Sequence, residues 1–358
     1  IVYSMMQDSR DANLIYLGTN LGVYRSLDRG TSWAPVWTAK AAPGKKKAPA
    51  KKTAPAKPSD LIRKAQQALN AAGYEVGVPD GRAGAMTLSA LKRFQAGKRL
   101  TVTGKFDDAT LAALGLKGNS EADPLATVVL SDAVNAIAQT IDVETQRPVF
   151  LAATNTGLFR SFDPTQGWQK LPYGSGLDPR TSCISTDAQQ PETIWVGTAA
   201  SGVLVSRDAG KSWQRVSGVP SDYPVNTIAV NPQRPNYVYV GTKQAFYMSK
   251  DGGANWSRRG GNLPFGDFTS ILINPRNGDE VFVGNAYQTG EIGGGVYRTV
   301  NAGTTWARID PKEQRLPSQR IWALAFDSRD RNTLFVGSHS AGVYVVPRGS
   351  DSLSSANH

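Results

Sequence analysis

Residues 193–213 read TIWVGTAASGVLVSRDAGKSW, and this stretch holds the two features that decide the fold. Two short runs rich in aromatic and β-branched residues, TIWVGT and GVLVS, are separated by small residues, as in a β-hairpin. The second run leads into Ser206-x-Asp208-x-Gly210-x-x-Trp213, an eight-residue pattern that we call the box. The stretch therefore predicts two antiparallel strands followed by a structured turn.

The same arrangement recurs along the whole chain. Two copies of the box are degenerate: residues 299–306 begin with Thr299 and Asn301, and residues 161–168 carry Thr165 in place of the glycine. Three copies are intact, and their defining residues are Ser26, Asp28, Gly30, Trp33, Ser206, Asp208, Gly210, Trp213, Ser249, Asp251, Gly253 and Trp256. In such a turn the Ser and Asp side chains bond backbone amides, Gly supplies a positive φ and Trp packs on the sheet. We therefore interpret the boxes as structural.

The period of the repeat indicates the architecture. Each TIWVGT-like run is counted from its second-last residue, which is Gly197 in this stretch. These residues lie at 18, 153, 197, 241, 284 and 337, so the spacings are 135, 44, 44, 43 and 53 residues. A period of about 40 to 50 residues with four strands per unit is typical of a propeller blade. Strand-like runs precede and follow each hairpin, so the sequence predicts a mainly β fold, a β-propeller of six or seven blades.

These units resemble BNR/Asp-box repeats, which occur in sialidases, sortilin-type receptors, xyloglucanases and the photosystem II assembly factor family. The resemblance implies a propeller but does not specify one activity, because the same fold carries unrelated functions. Three functions are therefore open for this chain. It could be a binding scaffold, a glycoside hydrolase of sialidase-like type, or an assembly factor for a membrane complex.

The first spacing is longer than the others because a different kind of sequence interrupts the repeat. We predict propeller blade 1 at 1–38, blades 2–6 at 125–347 and a tail at 348–358. Residues 39–58 contain only Ala, Pro, Lys, Gly and Thr, a composition that cannot bury apolar surface and predicts an extended linker. Residues 59–116 switch to a helical period, with Leu88, Leu91 and Phe94 on one face, and 117–124 form a return linker. The interruption thus predicts a small three-helix domain inserted into the propeller.

The helical segment resembles the peptidoglycan-binding domain, type 1, over its whole length. The matching stretches are IRKAQQALNAAGY at 62–74, the turn from Asp80 to Thr87, Phe94-Gln95 and Val102-Thr103-Gly104. Ala83 departs from the family, which usually has an aromatic residue there. The resemblance implies affinity for bacterial cell-wall glycan or its stem peptide. Candidate contacts near the turn are Tyr74, Asp80, Arg82, Thr87 and Gln95.

The charge of the chain is concentrated beside this segment. The formal net charge is +11, of which the linker at 39–58 contributes +7 and residues 59–116 contribute +3. Such a distribution favours an anionic cell-wall polymer as partner, although a solvated linker held open by self-repulsion explains it equally well. No recognition-helix motif accompanies the lysines, so nucleic acid is not an expected partner.

The sequence contains no recognisable catalytic set. Its two histidines, His339 and His358, cannot form a His-based triad or a His-rich metal site, and Cys183 has no second cysteine to pair with. The Arg-Ile-Pro signature of sialidases does not occur. Asp142, Asp267 and Glu291 are carboxylates that a glycosidase would need, but their local sequence does not distinguish them. We expect no catalytic residue, no cofactor and no metal ion.

The connectivity of a blade predicts where other molecules would bind. Turns between second and third strands share a face with the connections between blades, so the insert should leave the propeller on the face opposite the boxes. The longest of these turns, AYQTGEIGGG at 286–295, lies on that face, and Tyr287, Gln288 and Glu291 are candidate contacts to a ligand or a protein partner.

We therefore interpret the chain as a non-catalytic cell-envelope protein that binds peptidoglycan through the inserted domain. No transmembrane stretch is visible, and wall binding implies a secreted, periplasmic or wall-associated protein. The chain begins within a strand and its last unit lacks a fourth strand, so we expect a fragment or a processed product, with a seventh blade encoded upstream if the propeller has seven.

Overall fold

The computed structural model describes residues 1–36, 60–98, 100, 102–104, 106, 108–116, 128–258, 261–289, 292–310, 316, 318–327, 329–330 and 332–348. The chain divides into two compact units. One comprises residues 1–39 and 127–358, and the other comprises residues 40–126. The predicted linkers at 39–58 and 117–124 and the tail beyond Arg348 lie outside the described residues.

The described residues of the larger unit form six antiparallel sheets, the blades. Blade 1 contains β1 (Val2–Gln7), β2 (Ile15–Thr19), β3 (Gly22–Ser26) and β4 (Ala34–Pro35); blade 2 contains β5 (Val134–Ile141), β6 (Pro148–Thr154), β7 (Gly157–Ser161) and β8 (Gln169–Leu171). Blade 3 contains β9 (Thr181–Thr186), β10 (Ile194–Thr198), β11 (Val203–Ser206) and β12 (Gln214–Arg215); blade 4 contains β13 (Val225–Val230), β14 (Val238–Thr242), β15 (Phe246–Ser249) and β16 (Ser257–Arg258). Blade 5 contains β17 (Phe268–Ile273), β18 (Val281–Thr289), β19 (Ile292–Thr299) and β20 (Ala307–Arg308); the described part of blade 6 contains β21 (Ile321–Phe326), β22 (Thr333–Ser338) and β23 (Gly342–Pro347).

Within each blade the strands pair in chain order. The predicted fold class, a mainly β propeller carrying an inserted helical domain, is thereby confirmed. The first strand of every blade has a register shift near its start, as between Val225 and Thr227. The fourth strands are only two or three residues long, because the box occupies the turn that precedes them.

The apolar core of the propeller lies between successive blades. The second strands of the central blades are buried on both faces; all five residues of β10 and of β14 are buried. One core cluster joins Trp195 and Val205 of blade 3 to Val225, Val240 and Tyr247 of blade 4. Strands covered on both faces carry continuous apolar runs rather than alternation, which explains the IWVGT and VYVGT sequences.

The insert occupies the connection between blades 1 and 2. Val36 donates its backbone N–H to Val23 O, as Val216 donates to Val203 O in blade 3, at 2.9 Å in both. Where the chain re-enters the propeller after the insert, Val128 forms a β-bridge to Trp168 of blade 2. Gly218, at the corresponding place between blades 3 and 4, lies against Trp256 of blade 4. Only Ser217 separates Val216 from Gly218, so residues 37–127 take the place of a single residue of an ordinary connection.

The smaller unit contains α1 (Asp60–Ala71), α2 (Ala85–Gly97) and α3 (Asp108–Ala113). Its core consists of Leu69, Val76, Ala90, Leu91 and Phe94. Leu88, predicted to share the core face of α2, is 36 % exposed. The neighbouring Thr87 occupies the buried position instead because its hydroxyl belongs to an internal hydrogen-bond network.

Candidate functional site

A buried glutamine fixes the first turn of the helical unit. Gln66 Nε2 lies 2.9 Å from Asp80 Oδ1, 3.0 Å from Arg82 O and 3.0 Å from Thr87 Oγ1. Its Oε1 accepts a hydrogen bond of 2.8 Å from the backbone N–H of Gly81. One side chain thus ties α1 to the turn and to the first turn of α2, and Gly81 adopts φ 75°, the left-handed conformation that glycine tolerates.

A second glutamine repeats this arrangement between α2 and α3. Gln95 Oε1 accepts from the backbone N–H of Gly104 at 2.8 Å, and Gln95 Nε2 lies 2.9 Å from Thr110 Oγ1 and 3.0 Å from Thr103 Oγ1. Thr110 follows Gly104 by six residues, the separation between Gly81 and Thr87. The helical unit is therefore built from two similar halves, each a glutamine that holds a glycine turn and a threonine.

The five predicted peptidoglycan contacts take different positions around these turns. Thr87 and Gln95 are buried and bonded internally, so their polar atoms serve the fold rather than an exposed surface. Tyr74 is partly buried, with its ring edge-to-face against Phe94 at 5.3 Å. Asp80 and Arg82 are exposed at the turn itself.

The carboxylate of Asp80 is stabilised in its charged form. Its Oδ1 accepts from Gln66 and from the backbone N–H of Arg82, at 2.9 Å each. Hydrogen bonds to a carboxylate favour its ionised state. The pKa of Asp80 therefore lies below its ordinary value, mainly because of the hydrogen bond from Gln66 and secondly because of the one from Arg82. The turn consequently presents one fixed negative charge beside the positive charge of Arg82.

Two apolar side chains near this turn were not predicted as site residues. Val78 and Met86 are strongly exposed, and a Cβ built on Gly77 would lie 3.5 Å from the terminal methyl of Met86. Contiguous exposed apolar side chains with a polar rim mark interaction sites. We call Val78, Arg82 and Met86, together with Asp80, the turn surface. Gln66 was also missed, although the repeated Gln, Gly and Thr spacing was visible in the sequence.

The second predicted contact region lies in the hairpin of blade 5. β18 and β19 are the longest second and third strands of the propeller's described residues, and Gln288 pairs with Gly293 near the tip. Tyr287 is exposed beside Asn285, whose Oδ1 accepts its backbone N–H at 2.9 Å. Glu291 lies outside the described residues, so the contacts of these three residues remain a prediction.

The intact boxes use their polar atoms internally. In the first, Ser26 Oγ accepts from the backbone N–H of Gly30 at 2.7 Å and donates to Asp28 Oδ1 at 2.6 Å. Asp28 also accepts from the backbone N–H and the hydroxyl of Ser32, and these bonds lower its pKa to about 2. The same pattern recurs at Asp208 and Asp251. The degenerate copy at 161–168 forms a 3₁₀ turn capped by Asp163 instead.

The carboxylates considered for catalysis have unlike environments. Asp142 is partly exposed, and hydrogen bonds from Thr145 lower its pKa. Asp267 is partly buried, accepts from Asn226 Nδ2 at 2.6 Å, and burial raises its pKa. Within the described part of the chain, no group of three or more His, Cys, Asp and Glu side chains is placed to hold a metal ion. In that same part, no helix has the length and apolar character to cross a membrane.

Comparison with protein families identifies both units. Residues 126–348, more than half of the chain, match the DUF6242 β-propeller domain. Residues 58–114 match the putative peptidoglycan binding domain. No curated protein matches the sequence at a significant level.

Solved structures share the fold at low sequence identity. An ancestral GH74 enzyme is 17 % identical over 96 % of this chain and 36 % of its own, with a TM-score of 0.56. The GH74 enzyme of Niastella koreensis is 13 % identical over 96 % of this chain and 44 % of its own, with a TM-score of 0.56. The GH74 xyloglucanase of Xanthomonas campestris is 15 % identical over 96 % of this chain and 51 % of its own, with a TM-score of 0.53. The chain therefore spans between about a third and a half of these enzymes, and the likeness concerns the fold alone.

Proposed function

Since the chain belongs to the family of DUF6242 β-propeller domains and carries a putative peptidoglycan binding domain, we propose that it is a cell-envelope protein that binds peptidoglycan through its helical unit. In this proposal the propeller is a non-catalytic scaffold for a protein or glycan partner. The protein acts outside the cytoplasm, either secreted, periplasmic or wall-associated, because peptidoglycan is found there.

The turn surface is the observation that supports this proposal most directly. Gln66 holds the backbone from Asp80 to Arg82 in one conformation, so binding at Arg82 does not have to order this part of the backbone. A guanidinium pairs with carboxylates of a stem peptide, and the apolar side chains pack against the faces of sugar rings or against alanine methyl groups. The lysines of residues 39–58 add a net positive charge to the same region of the sequence.

Binding to purified peptidoglycan sacculi tests the proposal. We expect the intact chain to sediment with sacculi and Arg82→Glu to weaken this by about tenfold or more, corresponding to about 1.4 kcal/mol. Met86→Ser should weaken it through loss of apolar contact. Lys98→Glu is the matched control, because this substitution imposes the same charge change. Lys98 is the C-cap of α2 and lies roughly 18 Å from Met86 along the helix. Equal effects of the two charge reversals would indicate nonspecific attraction and contradict a site at the turn surface.

A deletion variant tests whether the helical unit or the propeller binds sacculi. Replacing residues 37–127 by one serine recreates the Val216-Ser217-Gly218 connection of blade 3 between Val36 and Val128. We expect this variant to retain the propeller's β circular dichroism and cooperative unfolding while losing sedimentation with sacculi. Undiminished sedimentation would assign wall binding to the propeller and overturn the proposal.

The rival function is a wall-tethered glycoside hydrolase. It is favoured by the shared fold with GH74 enzymes and by Asp267, whose raised pKa is a property of general acids. Release of soluble sugar or muropeptide from sacculi or xyloglucan, abolished by Asp267→Asn, would support it. A protein captured by cross-linking through Tyr287 would instead favour the second alternative, an assembly factor for a membrane complex.

A further inference from the structure

Successive blades of the propeller fit together through one repeated contact. At four of the five junctions, a glycine in the second strand leaves a space that the first residue of the following blade's first strand fills; blade 2 has Ala153 at this position instead. A Cβ built on Gly18 would lie 3.1 Å from Val134 Cγ1, one on Gly197 2.6 Å from Val225 Cγ1, and one on Gly284 2.7 Å from Ile321 Cγ2. We call the glycine the socket and the inserted residue the plug. Every plug from blade 2 to blade 6 is buried: Val134, Thr181, Val225, Phe268 and Ile321.

The two ends of this series carry an empty socket and a bare plug. Gly337 holds the socket position of blade 6, since it pairs with Ala323 as Gly284 pairs with Ser270. The three atoms nearest to a Cβ built there all belong to Ala323 of its own blade, at 3.3 to 3.9 Å. Val2 holds the plug position of blade 1, opposite Thr19, and is 57 % exposed.

Apolar residues around both positions are exposed in the same way. On blade 1, Met5 is 69 % exposed, whereas Ile137 and Ile228 at the same register of blades 2 and 4 are buried. On blade 6, Val343 is 70 % exposed, whereas Val296 at the same register of blade 5 is fully buried. Both surfaces therefore have the composition of an interface between blades and lack the blade that would cover them.

We propose that these two surfaces bind one further blade of the same repeat, contributed by a polypeptide segment outside residues 1–358. Its second strand carries a glycine that receives Val2, and its first strand carries a β-branched or aromatic plug that fills the space at Gly337. Continuity with the five interfaces of the chain supports this occupant, because the plug residue is buried at all five junctions and a socket glycine receives it at four of them.

Two other occupants fit the observations less well. If blade 6 packed directly on blade 1, Val2 would be buried against Gly337, but the structure leaves both positions uncovered. A second copy whose blade 1 covered both surfaces would bring its own blade 2 into the space of the first copy's blade 1, because successive blades of one chain lie side by side. A single blade satisfies both surfaces at once.

Adding a blade to the chain tests the proposal. A copy of residues 181–223 placed before Ile1 keeps a natural connection, because residues 181–223 precede Pro224 and Val225 as the copy would precede Ile1 and Val2. Accessibility is measured as the rate of thiol labelling at Met5→Cys and, in a separate protein, at Val343→Cys. Cys183 does not interfere, since burial raises its pKa to about 12. Val143→Cys, in an exposed turn of blade 2, is the control.

We expect the added blade to slow labelling at both Met5→Cys and Val343→Cys by at least about tenfold and to leave Val143→Cys unchanged. A tryptophan at the socket glycine of the added copy should abolish the protection. Protection of Met5→Cys alone would overturn the proposal, since one blade would then fail to span the two surfaces. Protection of neither position would show that the surfaces do not accept this repeat.

A pair of cysteines distinguishes the competing occupants in the chain of 358 residues. Gly284→Cys with Ile321→Cys is the positive control, because a Cβ on Gly284 would lie 3.2 Å from Ile321 Cβ and should oxidise to a disulfide. We expect Val2→Cys with Gly337→Cys to remain reduced under the same conditions. An intramolecular disulfide there would demonstrate direct closure, and a disulfide-linked dimer would demonstrate a second copy; either result contradicts the proposal.

Discussion

At the scale of single residues, the box shows how a short pattern stabilises a turn. Asp251 accepts from Ser249, from the backbone N–H of Asn255 and from its side-chain amide. The degenerate box achieves a similar network with Asn301, which accepts from Thr299 and from the backbone N–H of Thr305. The geometry thus requires an acceptor oxygen at this position but not a charge.

This comparison predicts an acid-dependent loss of stability. The hydrogen bonds lower the pKa of Asp28, Asp208 and Asp251 to about 2, below the value near 3.9 of an unfolded aspartate. The folded form therefore gains stability above about pH 4, and this gain is lost as the pH falls towards 2. Asp251→Asn should fold and should flatten the decline of unfolding temperature between pH 4 and 2. An unchanged acid slope would contradict this.

The tryptophans of the boxes differ in how much they stabilise the fold. Trp306 is buried in a core cluster and lies edge-to-face on Phe246 at 5.4 Å. Trp33 has the same hydrogen bond to the box glycine but is 39 % exposed. We expect Trp306→Ala to cost about 3 to 5 kcal/mol of unfolding free energy and Trp33→Ala distinctly less, measured by denaturant titration. Similar losses would show that the turn, not the packing, sets the contribution.

At the scale of elements, the helical unit depends on polar contacts as well as on its small core. Each half joins two helices through one glutamine, because a turn rich in glycine has few side chains to pack. Gln95 is buried, and its removal takes away the acceptor of the backbone N–H of Gly104. Helices this short are marginal without such tertiary contacts.

Gln95→Ala is therefore expected to destabilise the helical unit selectively. Each buried polar group left without a partner costs about 1 to 3 kcal/mol. Hydrogen exchange should accelerate in α2 and α3 while the propeller strands keep their protection. Ala96→Ser, one position away and exposed, is a control that should change neither. Faster exchange throughout the chain would argue against a local role.

At the scale of the whole propeller, charged groups join blades 5 and 6. Glu280 is fully buried; its Oε1 lies 2.6 Å from Arg298 Nη2 and 2.5 Å from Arg348 Nε, and Arg348 follows β23 directly. Asn274 donates to the other carboxylate oxygen at 2.5 Å. Such a group secures the last described strand to the preceding blade.

Removing the shared carboxylate should weaken this end of the propeller. Glu280→Ala leaves Arg298 buried without its ion-pair partner, and we expect a loss of about 3 to 5 kcal/mol. Arg348→Ala should cost less, because Arg348 is partly exposed and its removal leaves the Glu280–Arg298 pair intact. Both are measured by thermal and denaturant unfolding, and the reverse order would contradict this account.

Local patterns in the sequence were sufficient for the repeat, the strands and the nature of the insert. The box, the hairpin runs and the period depend on neighbours within about 45 residues, where propensity and turn chemistry act directly. The position of the interruption follows from the same period. Proximity to the turn in the sequence is what marks the candidate contacts Tyr74, Asp80, Arg82, Thr87 and Gln95. That proximity does not distinguish a buried side chain that bonds internally from an exposed one that can contact a ligand.

Only the tertiary structure decided which of these residues face the solvent. The repeated Gln, Gly and Thr spacing is visible in the sequence, but the burial of Gln66, Thr87 and Gln95 results from packing between helices. The exposure of Val78 and Met86 also follows from that packing. The bare surfaces at Val2 and Gly337 likewise appear only when blades are compared in space. The sequence by itself determined what each blade is, since strands and turns are local, whereas contacts between blades and between helices determined which surfaces remain available to other molecules.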